Sequence, residues 1–506
     1  MIKRISIHVL TRVERAGNKL PDPSMLFFLL CLIVLGLSWG LSLFNVQATQ
    51  PTNNKTIHVV NLLNWEGLTK ILTETINNFV TFPALGMVLV VMIGMGLAEK
   101  TGYFEHLLHS VVDKTPHKLV LPFLIFISIL GNAAGGAAPM IMPMLTAMIF
   151  IKLGYHPISG LIMSYAAVEV GYGANIIIGL DDALSFSFTQ SALKLFDVDL
   201  SINVAMNWFF MSISTFLLVP IIYFLAKKVT IPRFQHLSID EDTDVSADKK
   251  TFTVQERKAL LWSNLILALW LICIIVIAIP KHSFLRNNDT GKLLVDSPLM
   301  NGFGVILLIT FAIPGIIYGI KSGKIQNSKS LGKILTQSMA DMSSFIIVIF
   351  FAAQLLAFFD WSHIGQITAI NGAQLLEHQS GVTLIIGLIV LTATINIFMG
   401  SASAKWGILA PIFIPMFATL GFHPAFTQMV YRIGDSITNP ITPMIPYLPF
   451  LLTVARKYNK KIALGTLIAN LLPYSIIGGI IWTIFMIIWY LLGIPVGPGG
   501  PIHISN

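Results

Sequence analysis

The sequence predicts an all-α polytopic membrane protein in which nine transmembrane helices and two re-entrant hairpins form an inverted-topology repeat. Composition, the length of the apolar runs and a phrase repeated in the two halves lead to this fold class. Of the 506 residues, 55% are hydrophobic and only 11% are charged, whereas soluble domains carry about 25% charged residues. The composition therefore excludes a cytosolic enzyme, a nucleic-acid-binding protein and a disordered scaffold.

Apolar runs long enough to cross a bilayer are the second observation, since a spanning helix needs about 20 residues. Two runs, 118–153 and 381–420, are too long for one helix and are interrupted by small polar residues at 131–136 and 400–404. A lipid-exposed break would leave backbone groups unsatisfied, so both are predicted to be re-entrant hairpins. The nine predicted spans lie near residues 24–44, 82–98, 158–180, 202–226, 259–280, 302–320, 341–360, 425–453 and 464–494.

A phrase that follows each hairpin is the third observation. Leu153–Pro157 reads Leu-Gly-Tyr-His-Pro, and Leu420–Pro424 reads Leu-Gly-Phe-His-Pro. Each hairpin also contains a Pro-x-x-x-Pro pair upstream of its phrase. Two equivalent halves of opposite orientation are typical of secondary transporters, which alternate between two mirror-related states.

The predicted organisation has four segments: a cytoplasmic N-terminal segment 1–23, a first half 24–226, a cytoplasmic loop 227–258 and a second half 259–506. Lysine and arginine cluster before the first span, in the 227–258 loop, and again at 321–333 and 456–461. Cytoplasmic loops are enriched in these residues. The bias predicts a cytoplasmic N-terminus and a periplasmic or extracellular C-terminus. The net charge of +8 therefore indicates how the chain is oriented in the membrane.

Two predicted spans are themselves interrupted. Pro440 and Pro443 lie at mid-depth in 425–453, where proline removes backbone hydrogen bonds, and the glycine-rich and acidic stretch 171–182 is the weaker counterpart in the first half. Broken helices and hairpin tips that meet near the midplane bind substrate and coupling ion in such folds.

Arg432 and Asp435 are ionisable residues inside a predicted span, and such residues are functional candidates by default. Their spacing places them on one helical face. They form either a structural ion pair that holds the broken helix, or a site where Arg432 binds a substrate carboxylate while Asp435 balances it or takes up a coupling proton.

Further candidates lie near the interruptions. Asp182, at the end of the third predicted span, is either a proton carrier or a helix-end residue. Asn396, Ser403 and Trp406 are predicted to line the second hairpin tip, where small polar groups coordinate a cation or substrate and the indole stacks on an aromatic group. The alternative is tight helix packing. The secondary candidates are Asn132, Asn175, Glu169 and Lys405.

Glu169 and Lys405 are lone charges in apolar stretches. Each either faces a hydrated cavity without a specific role, or the two form a buried salt bridge, or the lysine ammonium takes the place of a metal cation. His156 and His423 are expected to be turn residues, and residues 62–80 are predicted to form an amphipathic interfacial helix.

The chain resembles the AbgT family of p-aminobenzoyl-glutamate transporters, within the ion transporter superfamily. The resemblance extends over essentially the whole chain. It rests most specifically on Gly400–Trp406, Ala410–Met416, Gly421–Ala425 and Arg432–Ser436, with weaker support from Arg12–Pro21, Gly96–Glu99 and Asn175.

The resemblance implies a homodimer with nine spans and two hairpins in a bacterial inner membrane. It also implies uptake of p-aminobenzoyl-glutamate or export of sulfonamides, driven by a proton or sodium gradient. The family's functional positions fall here on Asp182, Asn396, Ser403, Trp406, Arg432, Asp435 and Pro443. Lys405 and Glu169 depart from the family, which has a neutral and a small residue there.

The leading interpretation is therefore a secondary transporter of a small anionic aromatic substrate, with the lipid bilayer and a second copy as its partners and no nucleic acid. A dicarboxylate or short-chain fatty acid carrier of the same superfamily is the alternative. An intramembrane enzyme is disfavoured because the sequence lacks a His-Glu-x-x-His zinc motif and a phosphate-binding loop. No cofactor or metal is expected besides the coupling ion, H⁺ or Na⁺.

Overall fold

A computed structural model describes residues 23–49, 56–113, 119–133, 138–194, 200–237, 252–293, 297–340, 342–442, 444–445 and 447–504. The described chain is mostly helical, with one two-stranded antiparallel sheet in which β1 (Gln47–Thr49) pairs with β2 (Thr56–His58). The helices are α1 Pro23–Leu43, α2 Trp65–Val80, α3 Pro83–Lys100, α4 Tyr103–Asp113, α5 Val120–Leu130, α6 Ala138–Lys152, α7 Pro157–Val170, α8 Leu180–Leu193, α9 Trp208–Leu225, α10 Ile231–Phe234, α11 Val254–Ala278, α12 Pro298–Asn301, α13 Phe303–Lys321, α14 Ser328–Ala340, α15 Ser343–Trp361, α16 Ile364–Leu376, α17 Gly381–Phe398, α18 Ala402–Thr419, α19 Pro424–Thr438, α20 Tyr447–Tyr458 and α21 Leu464–Leu491.

Seven of the described helices are long and apolar enough to cross a membrane, or eight if α14 and α15 form one bent span. The seven include α17 and α18, the two arms of the second predicted hairpin. Length and composition give this count, so nine spans with two re-entrant hairpins stays a prediction. The predicted amphipathic segment 62–80 does contain a helix, α2, whose Leu72 and Ile76 are largely exposed.

The first predicted span, 158–180, is broken within the stretch 171–182 where the sequence predicts the weaker interruption. Helix α7 ends at Val170, and a 3-10 turn covers Gly171–Gly173 before α8 begins at Leu180. Glycine is a poor helix former, which accounts for the early end. Asp182 therefore lies in the first turn of α8 rather than at the end of a span.

The second break follows its prediction more closely. Helix α19 ends at Thr438, a 3-10 turn covers Asn439–Ile441, and α20 begins at Tyr447. Pro440 has no N–H to donate to the preceding turn, so the helical hydrogen-bond pattern does not continue through it. The helix therefore ends where the sequence predicts an interruption.

The two repeated phrases form the same local structure. Gly154 and Gly421 both have a positive φ, 75° and 84°, which glycine adopts readily because it has no Cβ. His156 and His423 are then the N-caps of α7 and α19, and each accepts a hydrogen bond on Nδ1 from the backbone N–H two residues later, at 3.3 and 3.2 Å. Both histidines are thus turn residues, as predicted.

The two helices that follow these phrases form the centre of the described structure. Every residue of α7 is buried, and so is every residue of α19 except its last. Each helix also packs against the 3-10 turn that ends the other one. A helix covered by protein on all sides needs no apolar surface toward lipid, which allows α19 to carry charged side chains.

Each break also contacts the region of the predicted hairpin in its own half. A Cβ on Gly179 would lie 3.5 Å from Cα of Ala133, close to the end of α5. A Cβ on Gly400, in the connection between α17 and α18, would lie 2.7 Å from the backbone of Met444. The ends of the predicted hairpins and the helix breaks therefore meet in both halves.

Candidate functional site

The 3-10 turn that ends α7 packs closely against α19 at Gly173. A Cβ at this position would lie 2.7 Å from Oγ of Ser436 and 3.0 Å from the carbonyl oxygen of Arg432. Only glycine fits such a contact without displacing the neighbouring helix. The close approach brings the polar residues of α19 next to the acidic start of α8.

Arg432 and Asp182 form the first buried ion pair at this crossing. The Arg432 guanidinium donates from Nη1 to Oδ1 of Asp182 over 2.5 Å, and the two side chains are 4% and 7% exposed. The other carboxylate oxygen of Asp182 accepts a 2.7 Å hydrogen bond from the backbone N–H of Gly179. A carboxylate in the first turn of a helix is favoured by the helix dipole, so α8 holds Asp182 in place for the arginine.

Lys405 and Asp435 form the second buried ion pair. Lys405 lies in the first turn of α18, and its Nζ donates to the carboxylate of Asp435 and to the side-chain oxygen of Asn396. Both members of the pair are essentially unexposed. The salt bridge between Glu169 and Lys405 hypothesised from the sequence is therefore wrong, because Lys405 bonds to Asp435 instead.

Asn396 is fixed in orientation by its own hydrogen bonds. Its Nδ2 lies 2.6 Å from the carbonyl of Asp435, 2.7 Å from Oδ1 of Asn439 and 2.9 Å from Oγ1 of Thr438. An amide nitrogen donates and an amide oxygen accepts, so these three acceptors turn the oxygen of Asn396 toward Lys405. Asn396 thus links α17, α19 and the second break.

Two further acids near the crossing have no cation of their own in these pairs. Glu169 is 4% exposed, and its Oε1 has no hydrogen-bond partner within the described structure. Asp181 accepts a hydrogen bond from the side chain of Tyr172. Over the described residues, no three His, Cys, Asp or Glu side chains are grouped so as to hold a metal ion. Together with Asp182 and Asp435, four carboxylates lie near the crossing, where the two cations are Arg432 and Lys405.

Trp406 does not offer a free aromatic face. Its ring is fully buried and stacks on Tyr431 with centroids 4.3 Å apart. Its Nε1 donates to Oγ1 of Thr189 over 2.8 Å. In this conformation the predicted stacking of Trp406 on an aromatic ligand is blocked, because Tyr431 already covers the ring.

The asparagines of the first half contact backbone near the first break. Asn175 donates to the carbonyl of Ile129 over 3.3 Å and accepts from the N–H of Ile177 over 3.0 Å. Asn132 donates to the carbonyls of Ile129 and Val168 over 3.1 and 2.9 Å. Carbonyls at helix ends lack partners within the helix, so these two side chains stabilise the ends of α5 and α7.

Ser403 and Pro443 complete the predicted set. Ser403 is half-buried in the first turn of α18, with its Oγ 3.4 Å from that of Ser401. Pro443 lies outside the described residues. The structure therefore brings together Asp182, Arg432, Asp435, Asn396 and the secondary candidates Glu169 and Lys405, while Trp406 packs against Tyr431.

A chain of hydrogen-bonded buried polar side chains was not predicted from the sequence. Oγ1 of Thr189 donates to Oε1 of Gln428 over 2.5 Å, and Gln428 donates to Asn207 over 2.7 Å. Asn207 in turn donates to the carbonyl of Ala425 over 2.6 Å. Gln428 lies four residues before Arg432, so helical spacing along the charged face of α19 could have identified it.

Paired charges at the crossing of two broken helices, inside a chain with many membrane-capable helices, are typical of membrane transporters. The chain belongs to the AbgT family: the AbgT putative transporter family matches residues 8–504. It is 33% identical over 489 residues to the p-aminobenzoyl-glutamate transport protein of Escherichia coli strain K12, covering 96% of this chain and 95% of that protein.

Two solved structures are similar along nearly the whole chain. The YdaH transporter of Alcanivorax borkumensis superposes with a TM-score of 0.89 at 36% identity, covering 94% of this chain and all of that one. MtrF of Neisseria gonorrhoeae, from a class of antimetabolite efflux pumps, superposes with a TM-score of 0.90 at 37% identity, covering 97% and 100%. The chain is therefore a multi-pass membrane transporter.

Proposed function

We propose that this transporter is a secondary active carrier of p-aminobenzoyl-glutamate or of related aromatic antimetabolites such as sulfonamides, driven by a proton or sodium gradient. The observation that carries the proposal is Arg432, a buried guanidinium held at the crossing by a single carboxylate. A planar guanidinium binds both oxygens of a carboxylate at once, and a glutamate moiety supplies such carboxylates.

In this scheme, substrate binding replaces the ion pair between Arg432 and Asp182 by one between Arg432 and a substrate carboxylate. Arg432 is 4% exposed and bonded to Asp182, so a substrate carboxylate reaches it only when Asp182 withdraws. We propose that this withdrawal accompanies the alternation of two inverted repeats, in a fold of nine spans and two re-entrant hairpins with a cytoplasmic N-terminus. The matching turns at Leu153–Pro157 and Leu420–Pro424 and the reciprocal packing of the breaks support the repeat.

Glu169 is the acid that we propose for a coupling proton. An ionised carboxylate costs several kcal/mol inside a membrane unless it is paired, and Oε1 of Glu169 has no partner in the described structure. The charged groups that act on it are Asp435 and Asp181, both also carboxylates. Glu169→Gln should therefore remove the dependence of uptake on a proton gradient, whereas Glu66→Gln, on the exposed start of α2, should not.

Uptake into proteoliposomes tests the proposed function. Labelled p-aminobenzoyl-glutamate is offered under imposed proton or sodium gradients to the native protein and to Asp182→Ala, Arg432→Ala and Asp435→Ala. We expect saturable, gradient-dependent uptake that the three variants lose while remaining folded. Saturable uptake of succinate instead would establish the dicarboxylate carrier, which the covered ring of Trp406 also permits. Uptake of neither would refute the assignment.

A further inference from the structure

The surroundings of Lys405 Nζ have the chemistry of a cation site. The ammonium is held by a carboxylate oxygen of Asp435 and the amide oxygen of Asn396, and carboxylate and amide oxygens are the ligands that hard cations prefer. Lys405 is 1% exposed. We propose that this ammonium permanently occupies a monovalent-cation site, so that Na⁺ does not bind there in the native protein.

The oxygen of Asn396 is presented to a cation by the fold and not by the lysine alone. The three acceptors around its Nδ2 belong to the backbone of Asp435 and to the side chains of Thr438 and Asn439. These groups keep the amide oxygen pointing toward Nζ whether or not the ammonium is present. Removal of the lysine side chain therefore leaves two oriented oxygen ligands and a vacated volume.

Helix stability does not explain a lysine at this position. Lys405 lies in the first turn of α18, where the positive end of the helix dipole disfavours a cation. A buried ion pair is moreover often replaceable by apolar residues at no loss of stability. The positive charge therefore neutralises and occupies the oxygens of Asp435 and Asn396, which would otherwise bind an ion from solution.

The proposal has a direct consequence for coupling. It rests on the transporter function proposed above, and it assigns the driving ion at this site: a cation fixed to the chain cannot be released with the substrate. A gradient of Na⁺ therefore does no work through Asp435 in the native protein. The unpaired acid Glu169 is left as the proton-carrying candidate.

The test measures Na⁺ binding to the purified full-length protein without substrate, so its outcome is separate from that of the uptake assay. Binding of ²²Na⁺ and the melting temperature are compared in NaCl and in choline chloride of equal ionic strength. Native protein should show neither saturable binding nor a Na⁺-specific shift. Lys405→Ala should acquire both, with an upward shift that saturates with Na⁺ concentration.

Two controls assign the acquired site. Lys405→Met removes the charge but fills the same volume, so it should remain indifferent to Na⁺. Lys405→Ala combined with Asp435→Asn should lose what Lys405→Ala acquired. A folded Lys405→Ala that stays indifferent to Na⁺ would overturn the proposal.

If Lys405→Ala does not fold, ²²Na⁺ binding to the native protein still tests the proposal. Saturable ²²Na⁺ binding to native protein that Asp435→Asn abolishes would show that Na⁺ already uses Asp435, and would overturn the proposal. Absence of such binding in native protein supports it.

Discussion

The two broken helices differ in the charges they bring to the crossing. The first break, from α7 to α8, is made by glycines and supplies only acids, Glu169, Asp181 and Asp182. The second, from α19 to α20, is made by proline and its helix carries both Arg432 and Asp435. Two breaks of equivalent packing therefore have unequal chemistry.

This difference divides the ion pairs into two kinds. Arg432–Asp182 joins the second half of the chain to the first, whereas Lys405–Asp435 lies within the second half. In the proposed alternation, movement of one half against the other would separate the first pair and leave the second intact. The first pair is therefore the one to probe for alternation, and the second the one to probe for ion occupancy.

Removal of one member of the pair between the halves should have the largest effect. Arg432→Gln leaves the carboxylate of Asp182 buried without its cation, which costs about 3–5 kcal/mol of stability, and it should abolish uptake. Thermal unfolding and proteoliposome uptake measure the two effects. The double variant Arg432→Gln with Asp182→Asn should recover most of the stability but no uptake. Recovered uptake would contradict the proposal that Arg432 binds the substrate carboxylate.

The close approach of the two breaks gives the next largest effect. A Cβ at Gly173 would lie 2.7 Å from Oγ of Ser436, so Gly173→Ala should cost about 1–3 kcal/mol and displace Arg432 from Asp182. Gly478→Ala is the matched control, since its nearest atom, Cγ1 of Val170, is 3.6 Å away. Equal melting temperatures for the two variants would contradict the described crossing.

The indole of Trp406 should matter for packing and not for recognition. Trp406→Phe loses the hydrogen bond to Thr189 and should lower stability by about 1 kcal/mol, with the KM for substrate unchanged within about twofold. Thermal unfolding and concentration-dependent uptake separate the two effects. A KM raised tenfold with native stability would restore Trp406 as a substrate-stacking residue.

The two histidine caps should give the smallest effects, and equal ones. His156→Ala and His423→Ala each remove one side-chain acceptor at the start of α7 or α19, a loss of about 0.5–1 kcal/mol. Thermal unfolding of the two single variants measures both. A difference above about 1 kcal/mol would show that the two phrases have unequal structural roles despite their matching geometry.

Much of the architecture followed from local sequence signals. Apolar runs located the long helices within a few residues, and the Leu-Gly-x-His-Pro phrases located the starts of α7 and α19 because glycine, N-cap and proline act locally. The glycine-rich stretch after Val170 also marked the end of α7. The start of α8 at Leu180, which places Asp182 in a first turn, was not predicted, because its N-cap is Gly179 and has no side chain to signal a cap.

The ion pairs could not be read from spacing alone. Asp182 and Arg432 are 250 residues apart in the chain, and only the packing of the two breaks determines which acid meets which cation. The sequence drew attention to these charged residues but suggested the wrong partner for Lys405. Its partner Asp435 lies on the same helical face as Arg432, which made a local pairing of those two an equally good prediction.

In the proposed exchange, a substrate carboxylate competes with Asp182 for Arg432. Equilibrium binding of labelled p-aminobenzoyl-glutamate to Asp182→Asn measures this competition. Removal of the competing carboxylate should tighten binding relative to native protein, even though transport is lost. The charge-matched double variant with Arg432→Gln should bind weakly. If folded Asp182→Asn binds more weakly than native protein, Asp182 contributes to the substrate site and the exchange of partners is contradicted.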